Sequence, residues 1–146
     1  MARRTFFSFH YQLDVWRASV VRKSSFLQEA VEAEWIDASI WEDAKATSDA
    51  AVKKLIDGGL RNTSVTAVLI GSKTASRQWV NYEIDQSIQR GNGLLGVYIH
   101  NIKDDNQKTA TKGTNPLPSG YPTFDWVNND GYNNLGSWVS AAYDAR

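Results

Sequence analysis

The chain has 146 residues, 42% of them hydrophobic and 22% charged, and sixteen basic residues balance sixteen acidic ones to give a formal net charge of zero. This length and composition predict a single soluble globular domain, spanning residues 1–146, with one hydrophobic core. The balanced charge argues against a general electrostatic grip on nucleic acid or on an anionic membrane, and no apolar stretch is long enough to span a bilayer.

Cysteine is absent from the sequence, which excludes disulfides, thiolate metal sites and cysteine nucleophiles. The only histidines are His10 and His100, so a histidine-rich metal site is not expected. No signal-peptide pattern opens the sequence, and we therefore expect a cytoplasmic protein. Six tryptophans are many for this length, and we expect most of them in the core and some around a flat ligand.

The sequence begins with a predicted strand over residues 5–9, which are mostly strand-forming residues. A short loop follows, and Asp14 is placed to cap the next helix. The helical spacing of apolar residues predicts an inner face made of Leu13, Trp16, Val20 and Val21.

The next segment predicts a poorer strand, a polar connection and a second helix. We expect the strand at residues 34–38, at the edge of the sheet, and the polar connection at residues 39–47. Ser48 or Asp49 can cap the second helix, which ends at the Gly58–Gly59 pair. Its apolar face consists of Val52, Leu55, Ile56 and Gly59.

The middle of the sequence has the strongest strand–helix–strand pattern. Residues 63–71 and 94–100 contain unbroken apolar runs, which are typical of strands buried on both faces of a parallel sheet. The segment between them has helical spacing, with Ser76 as a cap and Gly91 or Gly93 as an end signal. The expected inward-facing residues of that helix are Val80, Ile84 and Ile88.

The last part of the sequence predicts a long loop, a short strand and a closing helix. Residues 100–121 show little periodicity, and loops of this length are often functional. We expect the strand at residues 124–127, followed by turn residues at 128–131. The apolar stripe of the closing helix consists of Leu135, Trp138, Val139, Ala142 and Tyr143.

The alternation of strands and helices predicts an α/β fold, a flavodoxin-like three-layer sandwich. Its five-stranded parallel sheet should have the order 2-1-3-4-5. In such sheets ligands bind at the carboxyl ends of the strands, near the switch point between the first and third strands. That crevice should be lined by residues 8–11, residues 71–76 and the loop after His100.

Several functions of flavodoxin-like folds do not fit these strand ends. A receiver domain needs acidic residues after the first strand and an aspartate after the third, where this sequence has Phe9-His10 and Gly71-Ser72. The bulky residues 10–12 do not suit a flavin phosphate loop. The sequence has neither a dinucleotide-binding nor a P-loop glycine pattern, and no nucleophile elbow supports a serine triad.

Glu83 is the candidate reactive group of the central helix. It follows Trp79 by four residues, so the two side chains are neighbours on one face. A carboxylate beside a large aromatic ring, at the edge of a buried stripe, is open to partial desolvation and to a perturbed pKa. The ordinary alternative is a solvated glutamate on a helix surface.

Long motifs distributed over most of the sequence resemble those of one known family. They are residues 6–11, 37–44, 68–71, 79–84, 112–116 and 125–132. Together these motifs resemble the TIR-like family, and within it the TIR-like sensor enzymes of bacterial Thoeris anti-phage defence. The segment between Pro116 and Phe124 is shorter than in that family.

The resemblance implies an enzyme that breaks the nicotinamide–ribose bond of NAD, with Glu83 as the catalytic residue. NAD is then the substrate, and no cofactor or metal is implied. The product is a cyclic ADP-ribose isomer that activates a downstream effector, and the trigger is a phage protein such as capsid. Self-association is a further expectation for this family. The expected substrate-binding residues are Phe9, His10, Trp41, Trp79 and Asn115.

The chemistry of NAD agrees with a single carboxylate. Most glycosidases use two carboxyl groups because the leaving group must be protonated. Nicotinamide leaves NAD as a neutral molecule, so ionised Glu83 need only hold a ribose hydroxyl and stabilise the developing oxocarbenium charge. The rival interpretation is a non-catalytic TIR-type interaction module, which NAD turnover would distinguish from the enzyme.

Overall fold

Five parallel strands form one sheet in the order β2-β1-β3-β4-β5, as the alternation of elements predicts. The structure is a computed structural model that describes residues 3–36 and 38–146. The strands are β1 (Arg3–Ser8), β2 (Val31–Glu34), β3 (Val65–Ile70), β4 (Gly93–Tyr98) and β5 (Thr123–Asp125). All six residues of β3 are buried, which explains its unbroken apolar sequence.

Helices cover both faces of this sheet. They are α1 (Val15–Ser25), α2 (Ala38–Thr47), α3 (Asp49–Leu60), α4 (Gln78–Arg90) and α5 (Gly131–Ala145), and a short 3-10 helix at Thr74–Ser76 precedes α4. On one face α1 packs with α5, and on the other α4 packs with α3. Alternate residues of β3 face α4, as Val68 and Ile70 do, and those between them face α5. Within the described residues, none of the helices has the length and apolarity needed to cross a membrane.

The first half of the chain differs most from expectation. Strand β2 ends at Glu34, the first of the predicted residues 34–38, and residues 39–47, expected as a polar connection, belong to α2. Helix α2 was missed because Trp41 is its one fully buried large side chain, so its sequence lacks an apolar period. Asp37, which the prediction placed in the second strand, lies outside the described residues.

The predicted inner face of α1 is confirmed in its second half and wrong in its first. Val21 is buried and Val20 packs against the core, but Leu13 is 47% and Trp16 49% exposed, and Arg17 and Ala18 are buried instead. Asp14 occupies the N-cap position but makes no side-chain cap hydrogen bond. The buried face of α1 is rotated relative to the predicted one because the guanidinium group of Arg17 has hydrogen-bond acceptors inside the protein. Apolar periodicity cannot indicate such a buried charge.

Helix α4 follows its prediction except at its start and along its apolar stripe. Ser76 does not cap it, since its hydroxyl donates to the Lys73 carbonyl, but Gly91 ends it in the left-handed conformation with φ of 77°. Ile88, expected inside, is 38% exposed. The buried residues of α4 are Trp79, Val80, Glu83, Ile84 and Ser87. Glu83 therefore lies within the buried stripe rather than at its edge.

The remaining elements need only small corrections. Strand β1 runs from Arg3 to Ser8 instead of residues 5–9, and β5 covers Thr123–Asp125 instead of residues 124–127. The prediction for α3 is confirmed at its start, where the Ser48 hydroxyl accepts a hydrogen bond from the backbone N–H of Ala51 at 3.1 Å. The apolar stripe of α5 is confirmed too, because its first four predicted residues are buried and Tyr143 packs against them.

Candidate active site

The carboxyl group of Glu83 lies between α4 and the carboxyl end of β1, with 0% of the residue exposed. The Ser8 hydroxyl donates a hydrogen bond to Glu83 Oε1 at 2.8 Å. The Tyr11 hydroxyl donates one to Oε2 at 2.6 Å. Each carboxyl oxygen thus receives one hydroxyl donor, and both donors come from the segment predicted to line the crevice.

Burial raises the pKa of the Glu83 carboxyl to about 8, although the hydrogen bonds from Tyr11 and Ser8 act in the opposite direction. Burial and the neighbouring Glu83 also raise the pKa of the Tyr11 phenol well above its usual value. Across residues 3–36 and 38–146, no cationic side chain forms an ion pair with Glu83. In this state the carboxyl group is therefore mostly protonated at neutral pH.

Aromatic rings form the surroundings of this carboxyl group. The Tyr11 ring lies 4.5 Å from the Phe9 ring and 4.4 Å from the Trp41 ring, measured between centroids. Trp41 in turn meets Trp79 edge-on at 6.5 Å. All four rings are buried. The fold therefore brings three of the predicted substrate-binding residues, Phe9, Trp41 and Trp79, into one cluster with Tyr11.

His10 shapes the turn that carries Tyr11. Its Nδ1 accepts hydrogen bonds from the backbone N–H groups of Leu13 at 3.0 Å and Gln12 at 3.3 Å. Nδ1 therefore carries no proton, and the neutral ring has its hydrogen on Nε2. His10, which was expected to bind substrate, bonds the backbone of the following turn in this structure.

Burial lowers the pKa of the His10 imidazole, which keeps the ring neutral. Nearby cations act in the same direction, in the order Arg77, Lys45 and Lys73. These three side chains come from different segments, one before α4, one in α2 and one after β3. They indicate a positive potential at the rim of a protein whose net charge is zero.

Asn115 lies in the long loop before β5 and is half-buried. Its side-chain N–H donates to Thr123 Oγ1 at 3.1 Å, and its Oδ1 accepts from the backbone N–H of Leu117 at 3.0 Å. The loop packs closely against the end of β3, because a Cβ at Gly113 would overlap the carbonyl oxygen of Gly71. The amide of Asn115 thus orders a loop that reaches the predicted rim.

A second buried carboxyl group, Asp14, lies at the same rim beside the Cα of Gly71. Burial raises its pKa to about 6, while Arg17, 3.9 Å away, acts to lower it. Arg17 is itself buried and donates hydrogen bonds to the carbonyls of Ile102 at 2.7 Å and Lys108 at 2.9 Å. This pair fixes the loop after β4 onto α1.

Sequence reasoning missed Ser8 and Tyr11 as partners of Glu83, and Asp14 and Arg17 as a buried pair. The signal available for the first two was their position, since they are hydroxyl residues within the predicted crevice segment. Nothing in the sequence indicated that Arg17 is buried, because Arg is rarely found inside a protein.

Comparisons with known proteins find related sequences. The family model described as "Thoeris protein ThsB, TIR-like domain" matches residues 6–104, a range that contains Ser8, Tyr11 and Glu83. A protein of Bacillus cereus (strain MSX-D12) named "Putative cyclic ADP-D-ribose synthase ThsB1" is 40% identical over 193 aligned residues, which cover 96% of this chain and 100% of that protein. Since the alignment is longer than this chain, that relative contains segments without a counterpart here.

Proposed function

Since this chain belongs to the TIR-like family of the Thoeris protein ThsB, we propose that it cleaves NAD and converts it to a cyclic ADP-ribose isomer. The observation that carries the proposal is the carboxyl group of Glu83, which lies buried among aromatic rings with one hydroxyl donor on each oxygen. An ordinary helix glutamate is exposed to solvent and is rarely fully buried. The name of the Bacillus cereus relative supports the same reaction.

The reaction breaks the bond between ribose C1′ and the nicotinamide ring nitrogen. The bonding electrons pass to the pyridinium ring, so nicotinamide leaves as a neutral molecule without an acid. The ionised carboxylate of Glu83 stabilises the positive charge that develops on the ribose. A hydroxyl or ring nitrogen of the same ADP-ribose then bonds to C1′, losing a proton where it carried one. Holding that group closer than water favours cyclisation over hydrolysis.

The raised pKa of Glu83 suits this sequence of events. With a pKa of about 8, the carboxyl group is held neutral while it is enclosed by protein. A nearby opposite charge favours the ionised form of an acid, so the cationic nicotinamide ring promotes loss of the proton. Glu83 is then ionised when the substrate is bound. The free-energy cost of burying its negative charge is lower there than without the nicotinamide cation.

The cations at the rim suit the pyrophosphate of NAD. Lys45, Lys73 and Arg77 all lie near enough to His10 to lower its pKa. One of these cations, Lys73, lines an open cavity of about 510 Å³, together with Ala75 and the hydroxyl residues Ser72, Ser76 and Thr114. Ammonium, guanidinium and hydroxyl groups are the usual donors to phosphate oxygens. The pyrophosphate accordingly lies at this rim, with nicotinamide directed towards Glu83.

The wider setting follows from the family. A phage protein such as capsid triggers the enzyme, the cyclic nucleotide acts on a downstream effector, and self-association accompanies activation. The protein works in the cytoplasm, without a cofactor or a metal.

The purified protein should turn over NAD only slowly, because no surface of Glu83 is exposed to substrate. We expect adding purified phage capsid protein to raise the rate. The measurement is NAD consumption by chromatography, with mass spectrometry of the product. Rapid turnover by a dilute monomer without activator would contradict this expectation. Binding of capsid without any NAD loss would favour the non-catalytic interaction module.

Asn115→Ala should lower the activated rate about tenfold or more, because a loop at the rim loses the amide that orders it. The two lost hydrogen bonds should cost about 1–2 kcal/mol, which leaves the fold intact. Steady-state kinetics and thermal melting check both expectations. The exposed Asn106, in the loop after β4, provides the control variant Asn106→Ala. Unchanged kinetics in Asn115→Ala would remove Asn115 from the site.

A further inference from the structure

The enclosure of Glu83 requires part of the site to move before substrate binds. With 0% of this residue exposed, no atom of a dinucleotide can touch its carboxyl group. The groups in direct contact with its two oxygens are the Ser8 and Tyr11 hydroxyls. At least one of these two hydroxyls must move away from the carboxyl group before a substrate can contact it.

The positions of these hydroxyls correspond to what a sugar would offer. A ribose has two hydroxyls on adjacent carbons, on one face of the ring, and such a pair can donate to the two oxygens of one carboxylate. In the present structure Ser8 donates to Oε1 and Tyr11 to Oε2. The Tyr11 hydroxyl thus makes on Oε2 a hydrogen bond that a ribose hydroxyl would make, and Oε1 can accept a second hydroxyl beside that of Ser8.

Ser8 and Tyr11 differ in how firmly the fold holds them. Ser8 is the last residue of β1 and pairs with Val68 of β3 in the middle of the sheet. Tyr11 lies in the turn after the strand, where His10 supplies hydrogen bonds to the backbone. Residues in turns open at lower free energy than residues in central strands. Tyr11 is therefore the residue able to leave.

The cover over Tyr11 comes from a peripheral element. Trp41 packs on its ring, and the buried Nε1 of Trp41 has no hydrogen-bond partner in the structure. The helix that carries Trp41, α2, packs mainly against α3. The Trp41 indole is held by packing alone, so it can shift without breaking a hydrogen bond. Such a shift would leave room for the Tyr11 ring to move away from Glu83.

We propose that Tyr11 is an autoinhibitory plug: its phenol hydroxyl occupies the position on Glu83 Oε2 that a hydroxyl of a riboside with a free cis-diol takes in the open state. Ser8 keeps its hydrogen bond to Oε1 in both states and positions the carboxylate. The identity of the riboside as NAD rests on the proposed function. The plug itself rests on the contacts of Glu83.

The test is Tyr11→Phe, which keeps the ring and its packing but removes the hydroxyl. Loss of this hydrogen bond weakens the closed state relative to the open one, so the basal rate of NAD turnover should rise about tenfold. Binding of ADP-ribose, which has the diol but no scissile nicotinamide bond, should tighten about tenfold by calorimetry. Tyr82→Phe is the matched control, since the Tyr82 hydroxyl bonds Asp57 at the surface and should leave both values unchanged.

Several outcomes would overturn the plug. A fall in both the rate and the ADP-ribose affinity of Tyr11→Phe would make its hydroxyl part of the working site. A lower melting temperature with no gain in affinity would make it merely structural. If Tyr11→Phe does not fold, hydrogen exchange of the turn at residues 9–13 in the wild-type protein replaces it: exchange there should rise when ADP-ribose binds, and unchanged exchange would overturn the plug. Tighter ADP-ribose binding without NAD turnover in any variant would support the plug and count against the proposed reaction.

Discussion

Replacing Glu83 with glutamine should lower NAD turnover at least about a hundredfold under activating conditions. Glutamine has the size of glutamate and keeps an oxygen acceptor, but it cannot carry the negative charge that stabilises an oxocarbenium ion. A lost electrostatic interaction of this kind raises the barrier by roughly 3–4 kcal/mol. Binding of ADP-ribose should persist, because the aromatic cluster and the cationic rim remain.

A matched variant separates this effect from a general disturbance of α4. Asp85 lies two residues further along the same helix and is exposed, so Asp85→Asn removes a carboxylate from the solvent side. We expect Asp85→Asn to change stability by no more than about 0.5 kcal/mol and to leave turnover unaltered. A Glu83→Gln protein that melts normally and still makes product at the wild-type rate would refute the enzymatic interpretation.

The same pair of proteins should differ in how their stability responds to pH. The pKa of Glu83 is 4.5 for an ordinary side chain and about 8 in the fold. The folded state therefore holds a proton that the unfolded state releases between these values. Stability from this group is complete below pH 4.5 and is lost as the pH rises towards 8. The free energy of unfolding of wild type should fall over this range relative to that of Glu83→Gln, by of order a few kcal/mol.

Arg17→Met should destabilise the protein by about 3–5 kcal/mol, the largest loss of stability that we expect from a substitution outside the site. Methionine fills much of the volume but leaves the carbonyls of Ile102 and Lys108 without their donor. It also removes the only cation beside buried Asp14 among the described residues. The loop after β4 should then detach from α1.

Denaturant unfolding and hydrogen exchange of the loop after β4 test this prediction. Arg22→Met is the control, because Arg22 lies in the same helix and is exposed. It should change stability by no more than about 0.5 kcal/mol. Equal stability of the two variants would mean that the buried guanidinium group makes no net contribution to the free energy of unfolding. Faster exchange in the loop of Arg17→Met alone would support its role as the anchor of the rim.

Strong local patterns predicted the parts of the fold that are apolar throughout. The strands on either side of α4 contain unbroken apolar runs, α5 has a periodic apolar stripe, and both patterns agree with the burial in the fold. The predictions were wrong for the elements with weaker patterns, in which burial depends on a few contacts. Helix α2 has one fully buried large side chain, and α1 buries a charged residue in place of two apolar ones. Neither kind of burial produces an apolar periodicity that could be recognised in the sequence.

Residue types and their spacing were enough to predict the order of the sheet, a crevice at its carboxyl edge and Glu83 as the candidate reactive group. These follow from residue types at short spacing, and from motifs that resemble one family. The surroundings of that carboxyl group could not be predicted, because its partners Ser8 and Tyr11 lie 75 and 72 residues away in the chain. Their hydroxyls lower the pKa of an acid whose burial raises it, and no local pattern can encode contacts that exist only when β1 and α4 pack together.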